Sequence, residues 1–395
     1  MLTQRSHRSD TSLHFLLWTA PAIALLAGIA NAGTVVPSYT VTDLTPFGGA
    51  SSASDADAIN ASGQVAGSFV NSSGQYHAFL YSGGSLQDLG TFGGDASSAF
   101  AINASGQVAG FAYPSGNNFQ RAFLYSRGTL NDLGMPAGSN SLAKGINASG
   151  QVVGWMMTST TGPSRAFIDS AGSIRDLGTL GGAGSVAYAI NDNGQVVGNA
   201  DTSAGNSHAF LYTNGGMMDL GTLGGARSGS NGINSAGQVV GYSEPANDTN
   251  GHAFLYSDGS MKDLGLLPGK VSSSASGIND SGQIVGESYN GPGMQSRAFL
   301  YENGTMYDLN SLLVNDPGYV VADALGINDS GQIVGIADMP GGNLNAILLT
   351  PTTRTSPPGV GEPSAVPLPP AAWASLTAAP LLLLGRRIRR VLARR

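Results

Sequence analysis

Short apolar runs of four to six residues alternate along the chain with Gly, Asn, Asp and Ser. In the segment after Ser228, the runs lie in SNGIN, GQVVGYS, HAFLYS and SMKDLG. Their β-branched and aromatic residues are typical of strands. An N-x-x-G sequence joins the first two runs and S-D-G joins the last two, and both sequences are typical of tight turns. The pattern predicts four antiparallel strands in about 44 residues.

This four-strand pattern repeats along the chain. The phrase I-N-x-x-G-Q-[VI]-[VA]-G occurs seven times, in steps of 43, 44, 44, 43, 45 and 49 residues. Its asparagines are Asn60, Asn103, Asn147, Asn191, Asn234, Asn279 and Asn328. An [HR]-A-F-L-Y-like segment and a D-L-G segment recur behind it. A unit of this length holds one small sheet but is too short for a domain, so neighbouring units must complete each other's core.

Antiparallel sheets repeated radially predict an all-β fold, a seven-bladed β-propeller of four-stranded blades. The last unit, residues 325–349, lacks its D-L-G strand, while an extra copy, YTVTDLTPFGG, stands before the first unit at residues 39–49. We expect the N-terminal strand at residues 39–44 to pair with the last blade, which would close the ring and remove its exposed edges. A β-solenoid with two coils per repeat is the alternative, and it needs no such pairing.

The N-terminal residues 1–32 have the pattern of a secretory signal. Arg5 and Arg8 precede an apolar stretch at residues 15–30, which ends in the small-x-small triplet completed by Ala32. We therefore predict cleavage after Ala32 and a propeller over residues 33–350. An uncleaved membrane anchor is the alternative.

A second targeting segment follows a linker rich in Pro, Ser and Gly at residues 351–365. An apolar segment at residues 371–385 is followed by six arginines, in agreement with the rule that positive charge stays cytoplasmic. The segment is short for a transmembrane span, which favours transient membrane anchoring.

Residues 366–395 resemble the PEP-CTERM family of sorting signals in its V-P-L-P variant. The matching motif is Val366, Pro367, Leu368 and Pro369. The resemblance implies recognition by an exosortase-type protease in a Gram-negative bacterium. It also implies cleavage near the motif and release or attachment at the cell surface, often alongside exopolysaccharide production.

The repeats resemble the HAF family of extracellular repeats, through His77-Ala78-Phe79 and the same triplet at residues 208–210 and 252–254. The resemblance implies an exported, propeller-like protein, and the family brings no established activity. Arg replaces His in three units, so the histidine is not a fixed chemical requirement.

Composition narrows the classes of partner. The chain has no Cys, which fits export without a disulfide framework. Removing Arg5, Arg8 and Asp10 with the signal, and six arginines with the tail, leaves 10 basic and 24 acidic residues, a net charge near −14. So acidic a chain argues against nucleic acid and anionic lipid as partners.

The repeated polar residues do not predict catalysis, because a catalytic site is singular. The D-L-G aspartates predict turn or backbone-capping roles in every blade, and so do the I-N asparagines. No spacing of metal ligands, nucleophile motif or phosphate loop occurs. We therefore predict no catalytic residue, cofactor or metal.

One position varies within the constant frame, the residue directly after each Q-V-V-G-like segment. It is Ser68, Phe111, Trp155, Asn199, Tyr242, Glu287 and Ile336. The aromatics Phe111, Trp155 and Tyr242, at equivalent places on neighbouring blades, could form a stacking surface for sugar rings. The nearby acids Asp201, Glu244 and Glu287 could receive hydroxyl groups. Packing between blades is the alternative explanation of these side chains.

Three functional hypotheses follow. The favoured one is an exported, surface-associated propeller that binds exopolysaccharide or a surface protein and is processed by signal peptidase and an exosortase-type protease. The second is a purely structural envelope or biofilm component. A glycan-active enzyme is the third, and it would need two close carboxylates, each unique to one blade.

Overall fold

Nearly all regular structure in this protein is β-strand. The computed structural model describes residues 37–44 and 53–352, except 117, 136–138, 158, 160, 292–294, 315–317 and 341. Its one helix is a 3-10 turn, Leu309–Leu312. All of these residues belong to one compact unit, Thr34–Thr355. Both predicted address segments, residues 1–32 and 366–395, lie outside the described residues, with their processing positions Ala32 and residues 366–369.

The strands form seven four-stranded antiparallel sheets, which confirms the predicted seven-bladed β-propeller. The N-terminal strand β1 (Ser38–Asp43) belongs to the last blade. The first blade contains β2 (Ser54–Ile59), β3 (Val65–Val70), β4 (Tyr76–Ser82) and β5 (Ser85–Gly90). The second contains β6 (Gly93–Ile102), β7 (Val108–Pro114), β8 (Arg121–Ser126) and β9 (Thr129–Asp132). The third contains β10 (Ser141–Ile146), β11 (Val152–Met157), β12 (Ser164–Ser170) and β13 (Ser173–Asp176).

The remaining blades follow the same order. The fourth contains β14 (Gly181–Ile190), β15 (Val196–Thr202), β16 (Ser207–Thr213) and β17 (Gly216–Asp219). The fifth contains β18 (Gly224–Ile233), β19 (Val239–Pro245), β20 (His252–Ser257) and β21 (Ser260–Gly265). The sixth contains β22 (Ser272–Ile278), β23 (Ile284–Tyr289), β24 (Arg297–Glu302) and β25 (Thr305–Asp308). The seventh contains β26 (Val320–Ile327), β27 (Ile333–Asp338) and β28 (Leu344–Thr352), with β1 outermost.

Ring closure occurs where the sequence predicts it. Strand β1 pairs antiparallel with β28 in a register that places Val41 opposite Leu349. The buried ring of Tyr39 packs in the core of the last two blades, and the backbone oxygen of Tyr39 accepts from Val314 N at 2.9 Å. The first strand of each blade contacts the first strands of both neighbouring blades all the way round, including β26 against β2. These innermost strands therefore surround a central axis.

The hydrophobic core lies between blades. The Phe of each H/R-A-F segment is fully buried, and the cluster around it includes residues of an adjacent blade. One cluster joins the two ends of the chain, because Val334 and Ala346 of the last blade pack with Val65 and Phe79 of the first. Each blade thus leaves one apolar face for the next blade to cover, as the repeat length predicts.

The glycine that ends each Q-V-V-G-like segment is required by close approach. A Cβ at Gly198 would lie 2.0 Å from the backbone oxygen of Val186 in the paired innermost strand. The other six equivalents would meet the same backbone atom at 1.9 to 2.0 Å. No side chain fits at such a distance, so the constant glycine follows from the packing of the first two strands.

Each I-N asparagine links its own turn to the next blade. The side-chain oxygen of Asn60 accepts from Gln64 N, and its amide donates to Gln64 Oε1 and to the backbone oxygen of Asn103 in the next blade. The same interblade bond recurs seven times at 3.0 to 3.3 Å and closes from Asn328 to Asn60. We call these seven residues the Asn ring. Both donors of every amide are used, which suits side chains exposed by only 3 to 6%.

A serine at the start of the innermost strand makes a second link between blades. Ala209 N donates to Ser228 Oγ of the next blade at 2.9 Å, and Ser228 Oγ donates to Gly221 O. The equivalent bond from Ala346 N to Ser54 Oγ crosses the junction between the last and first blades at 3.0 Å. These bonds satisfy backbone groups that would otherwise be buried without partners.

We expect ring closure to depend on β1. Tyr39→Ala should lower the free energy of unfolding by about 3–5 kcal/mol, since it removes a fully buried aromatic side chain. Thr42→Ala, at an exposed position of the same strand, should change it by less than about 0.5 kcal/mol. Deleting residues 39–44 should give an insoluble product. A soluble deletion variant that melts cooperatively would contradict closure as a requirement for folding.

The Asn ring should contribute to stability at every junction. Asn191→Ala removes two donated bonds and two accepted bonds, so the free energy of unfolding should fall by roughly 3–4 kcal/mol, at about 1 kcal/mol each. Asn193→Ala is the matched control, because Asn193 also donates across the junction, to Ser235 O, but is exposed. Urea denaturation of the two variants measures the difference. Equal losses would show that burial of the Asn ring is not what matters.

Candidate functional site

The repeated His or Arg pairs with the repeated Asp of its own blade. His77, His208 and His252 place Nδ1 at 2.8 to 2.9 Å from the aspartate oxygen. Arginines take the same place in three other blades, at 2.8 to 3.4 Å. In the last blade Asn345 donates to Asp43 at 3.0 Å. The exchange of His for Arg is explained, because either side chain can donate to this carboxylate.

The same aspartates cap the backbone. Asp88 Oδ1 accepts from Gly90 N at 2.8 Å, and Asp132, Asp176, Asp219 and Asp263 each accept from the N–H two residues later. The predicted backbone-capping role is confirmed. In the fifth blade, burial raises the pKa of Asp263, but the hydrogen bonds from His252 and Gly265 N–H, together with the charge of His252, outweigh burial and lower that pKa.

A cavity of about 230 Å3 lies at the end of the channel where the Asn turns meet. Among its lining residues are the carboxylates Asp192, Asp280 and Asp329. Each accepts a backbone N–H from the preceding blade, at 2.8 to 2.9 Å. These acids therefore act as links between blades. No group of three or more His, Asp or Glu side chains suited to a metal ion occurs in residues 37–44 and 53–352, the gaps excepted.

The variable position lies on the second strand of each blade, directly after the constant glycine, and pairs with the innermost strand of the same blade. We call its seven residues the variable ring: Ser68, Phe111, Trp155, Asn199, Tyr242, Glu287 and Ile336. Asn199 Oδ1 accepts from Ser230 N of the fifth blade at 3.1 Å, and Ser98 Oγ of the second blade donates to Ser68 Oγ at 3.4 Å. These two bonds show that the variable ring bridges adjacent blades.

The three aromatics of the variable ring have different surroundings. Phe111 is buried and contacts Phe100 and Tyr113, with ring centroids 5.9 and 5.8 Å away. Trp155, half-buried on β11, lies opposite Leu142 of the innermost strand. Phe111 and Trp155 are on adjacent blades, whereas Tyr242 is two blades beyond Trp155.

Tyr242, on the fifth blade, lies next to Asn199 of the fourth blade. A Cβ at Gly229 would lie 2.7 Å from Tyr242 Cε1 and 2.8 Å from Asn199 Oδ1. Tyr242 and Asn199 therefore meet above Gly229. Burial raises the pKa of Tyr242, and the charge of Glu244 adds to the rise while Arg227 opposes it.

Two of the predicted acids near the variable ring accept hydrogen bonds from backbone N–H groups. Asp201 Oδ2 accepts from Gly184 N at 3.0 Å, and Glu244 Oε2 accepts from Ala226 N at 3.3 Å. Glu287 is half-buried on β23, opposite Ser274. One oxygen of Asp201 and one of Glu244 thus fix the long first strand of their own blade.

A second set of residues that vary between blades was not predicted from the sequence. Each innermost strand has a register shift opposite the constant glycine, and one extra residue stands at the shift. We call these residues the bulge ring: Asp57, Phe100, Lys144, Tyr188, Asn231, Ser276 and Leu325. The signal that could have found them is a variable residue three positions before each constant Asn.

Adjacent members of the bulge ring reach across blade boundaries. Lys144 Nζ lies 3.2 Å from the centroid of the Phe100 ring in the preceding blade. Asn231 Nδ2 donates to the backbone oxygen of Ala275 in the next blade at 2.8 Å. In these two sectors the bulge ring thus contributes contacts between adjacent blades.

Comparison with known proteins supports the fold. No protein-family model matches the chain, and no curated protein sequence is significantly similar to it. The chain is similar to the β-propeller domain of the Trilobed protease from Pyrococcus furiosus, with a TM-score of 0.50 and 9% identity over 80% of this chain and 95% of that one.

Two further solved structures are similar to the chain with lower TM-scores. TolB from Acinetobacter baumannii has a TM-score of 0.44 and 14% identity, over 73% of this chain and 63% of that one. Aleuria aurantia lectin in complex with α-methyl-L-fucoside has a TM-score of 0.32 and 12% identity, over 81% and 97%. No helix in the described part of the chain is long and apolar enough to cross a membrane.

The pair of His252 and Asp263 should make stability pH-dependent. The hydrogen bond to Asp263 raises the pKa of His252, although burial opposes the rise. Because the folded pKa lies above the unfolded value of about 6.5, the stabilisation by this pair is complete below that pH and is lost as pH rises through the folded pKa. At the acidic end, the lowered pKa of Asp263 means that the stabilisation is lost as pH falls through that folded pKa.

An NMR titration of the His252 imidazole tests this account. We expect a pKa above about 6.5 in the unmodified chain and a lower one in Asp263→Asn. The matched control is Asp176→Asn, whose partner Arg165 stays charged in this range, so the pH dependence near neutrality should not change. A His252 pKa at or below that of a free imidazole would show that the pair is not formed in solution.

Proposed function

We propose that this chain is an exported cell-surface propeller that binds exopolysaccharide or an envelope partner through its variable ring, without catalysis. The observation that carries the proposal is a division of the repeat into two kinds of position. The constant Asn, Gly, Phe and Asp are each used for hydrogen bonds or packing in the frame. The variable ring has seven different residues in seven equivalent places.

The chemistry of the variable ring supports a sugar ligand. Trp155 and Tyr242, two blades apart, are half-buried and can offer part of a ring face, whereas Phe111 of the second blade is buried. Aromatic faces stack on the apolar faces of sugar rings, and binding sites commonly combine such rings with a few polar groups. A rigid frame that presents different side chains at equivalent places suits recognition of an extended, irregular polymer.

The location is part of the proposal and is supported by the two ends of the sequence. We propose that residues 1–32 direct export with cleavage after Ala32, and that the V-P-L-P motif at residues 366–369 is recognised by an exosortase-type protease. The HAF-like repeats agree with an extracellular site. The short apolar segment at residues 371–385 would then anchor the chain in the inner membrane of a Gram-negative bacterium only until it is sorted.

A purely structural role is the second candidate, and one observation favours it. Ser68, Phe111 and Asn199 are exposed by less than 10%, so three members of the variable ring fill blade interfaces. A glycan-active enzyme would need a close pair of carboxylates. The candidate acids Asp201 and Glu244 each bond backbone, so we favour binding over hydrolysis.

A glycan array with the purified full-length chain tests the proposal. Trp155→Ala should weaken binding roughly fivefold, because stacking on an aromatic ring contributes on the order of 1 kcal/mol beyond area burial. Met218→Ala is the control, since Met218 is 43% exposed on the outermost strand of the fourth blade. Thermal melts of both variants monitor folding. If the unmodified protein binds no glycan, the sugar-binding proposal fails and the structural role replaces it.

A further inference from the structure

The chain enters and leaves the propeller at one place, beside the Asn ring. Strand β1 begins at Ser38 and β28 ends at Thr352, and these two residues form the last pair of their ladder. Their side-chain hydroxyl groups lie 2.8 Å apart. A Cβ at Gly331, in the Asn turn of the last blade, would lie 3.7 Å from Pro351 Cγ. Both ends of the propeller therefore lie on the face that carries the Asn turns, which we call the Asn-ring face.

The turns on the Asn-ring face are nearly the same in every blade. Because consecutive strands of a blade are antiparallel, the Asn turns and the hairpins between third and fourth strands lie on this one face. All seven Asn turns have the sequence N-x-x-G. Each of the six hairpins has two central residues with positive φ, such as Asn214 at 51° and Gly215 at 83°. In the last blade, the two chain ends take the place of the hairpin.

The opposite face differs from blade to blade. We call it the loop face, and it consists of the ends of the blades at which each second strand passes to the third. Four residues separate β15 from β16 there, whereas seven separate β23 from β24. The variable ring lies two or three residues before the end of its strands at this face. In the fifth blade, a Cβ at Gly251, which lies between β19 and β20, would be 3.2 Å from Tyr242 Cδ2.

We infer that the propeller is attached through its Asn-ring face, which leaves the loop face as the surface open to a large partner. The attachment itself rests on the proposed function, and the positions of Ser38 and Thr352 decide which face is attached. Connections that vary in length and sequence on a rigid scaffold are where binding residues concentrate. The variable connections and the variable ring thus lie on the side away from the attachment.

The reverse orientation is disfavoured by the height of a blade. To turn the loop face toward the anchoring surface, the chain at both ends would have to pass round the rim of the ring. The distance is roughly 20 Å for a strand of six residues. The loop face would then be pressed against the anchoring surface and closed to a polymer.

Single cysteines can report on each face, because the chain has no Cys of its own. Ala236→Cys and Thr249→Cys place a thiol at exposed positions on the Asn-ring face and the loop face of the fifth blade. Ala104→Cys and Asn118→Cys form the matched pair in the second blade. Each full-length variant is reconstituted in liposomes and treated with a small hydrophilic maleimide or with the same maleimide coupled to streptavidin, which stands for a large partner. Thermal melts monitor folding.

We expect the small reagent to react with all four thiols at similar rates. The streptavidin reagent should react at least about threefold more slowly on the Asn-ring face than on the loop face in both blades, because the anchoring surface restricts its approach. Equal streptavidin rates on the two faces of either blade, or faster reaction on the Asn-ring face, would overturn the inference while the proposed attachment stands. A chain that does not stay with the liposomes would remove both.

Discussion

The convergence of seven innermost strands on one axis is the constraint from which the rest of this structure follows. Close approach there leaves no room for a Cβ at the constant glycines, such as Gly198. It also buries the Asn that begins the turn after each strand, so this side chain bonds its own turn and the next blade together. The constant Gly and Asn of the repeat therefore follow from the crowding of strands at the axis.

Positions that this close approach does not constrain differ from blade to blade. The extra residue at each register shift has no partner position in the ladder, so its side chain is not dictated by strand pairing. The residue after each constant glycine also differs from blade to blade, and at Ser68 and Asn199 it bonds to the next blade. The frame is therefore regular, and side-chain chemistry differs from blade to blade at these positions.

The fold could be predicted because repetition makes each element visible seven times. The missing strand of the last unit and the extra strand at residues 39–44 specify closure without any coordinates. The variable ring was visible for the same reason. By contrast, the bond from Asn60 to Asn103 joins residues 43 apart, and only the angle between blades determines it. The Lys144 and Phe100 contact depends on a β-bulge, which the spacing of apolar residues does not reveal.

Ring closure also changes how the last strand of the propeller is held when the chain is pulled. With β1 in place, β28 is an inner strand held by two ladders, one to β27 and one to β1. A pull applied to the chain beyond Thr352 would have to shear or peel both ladders at once. A tethered propeller built this way would resist drag at the point of attachment, where a plain edge strand would be the first element to detach.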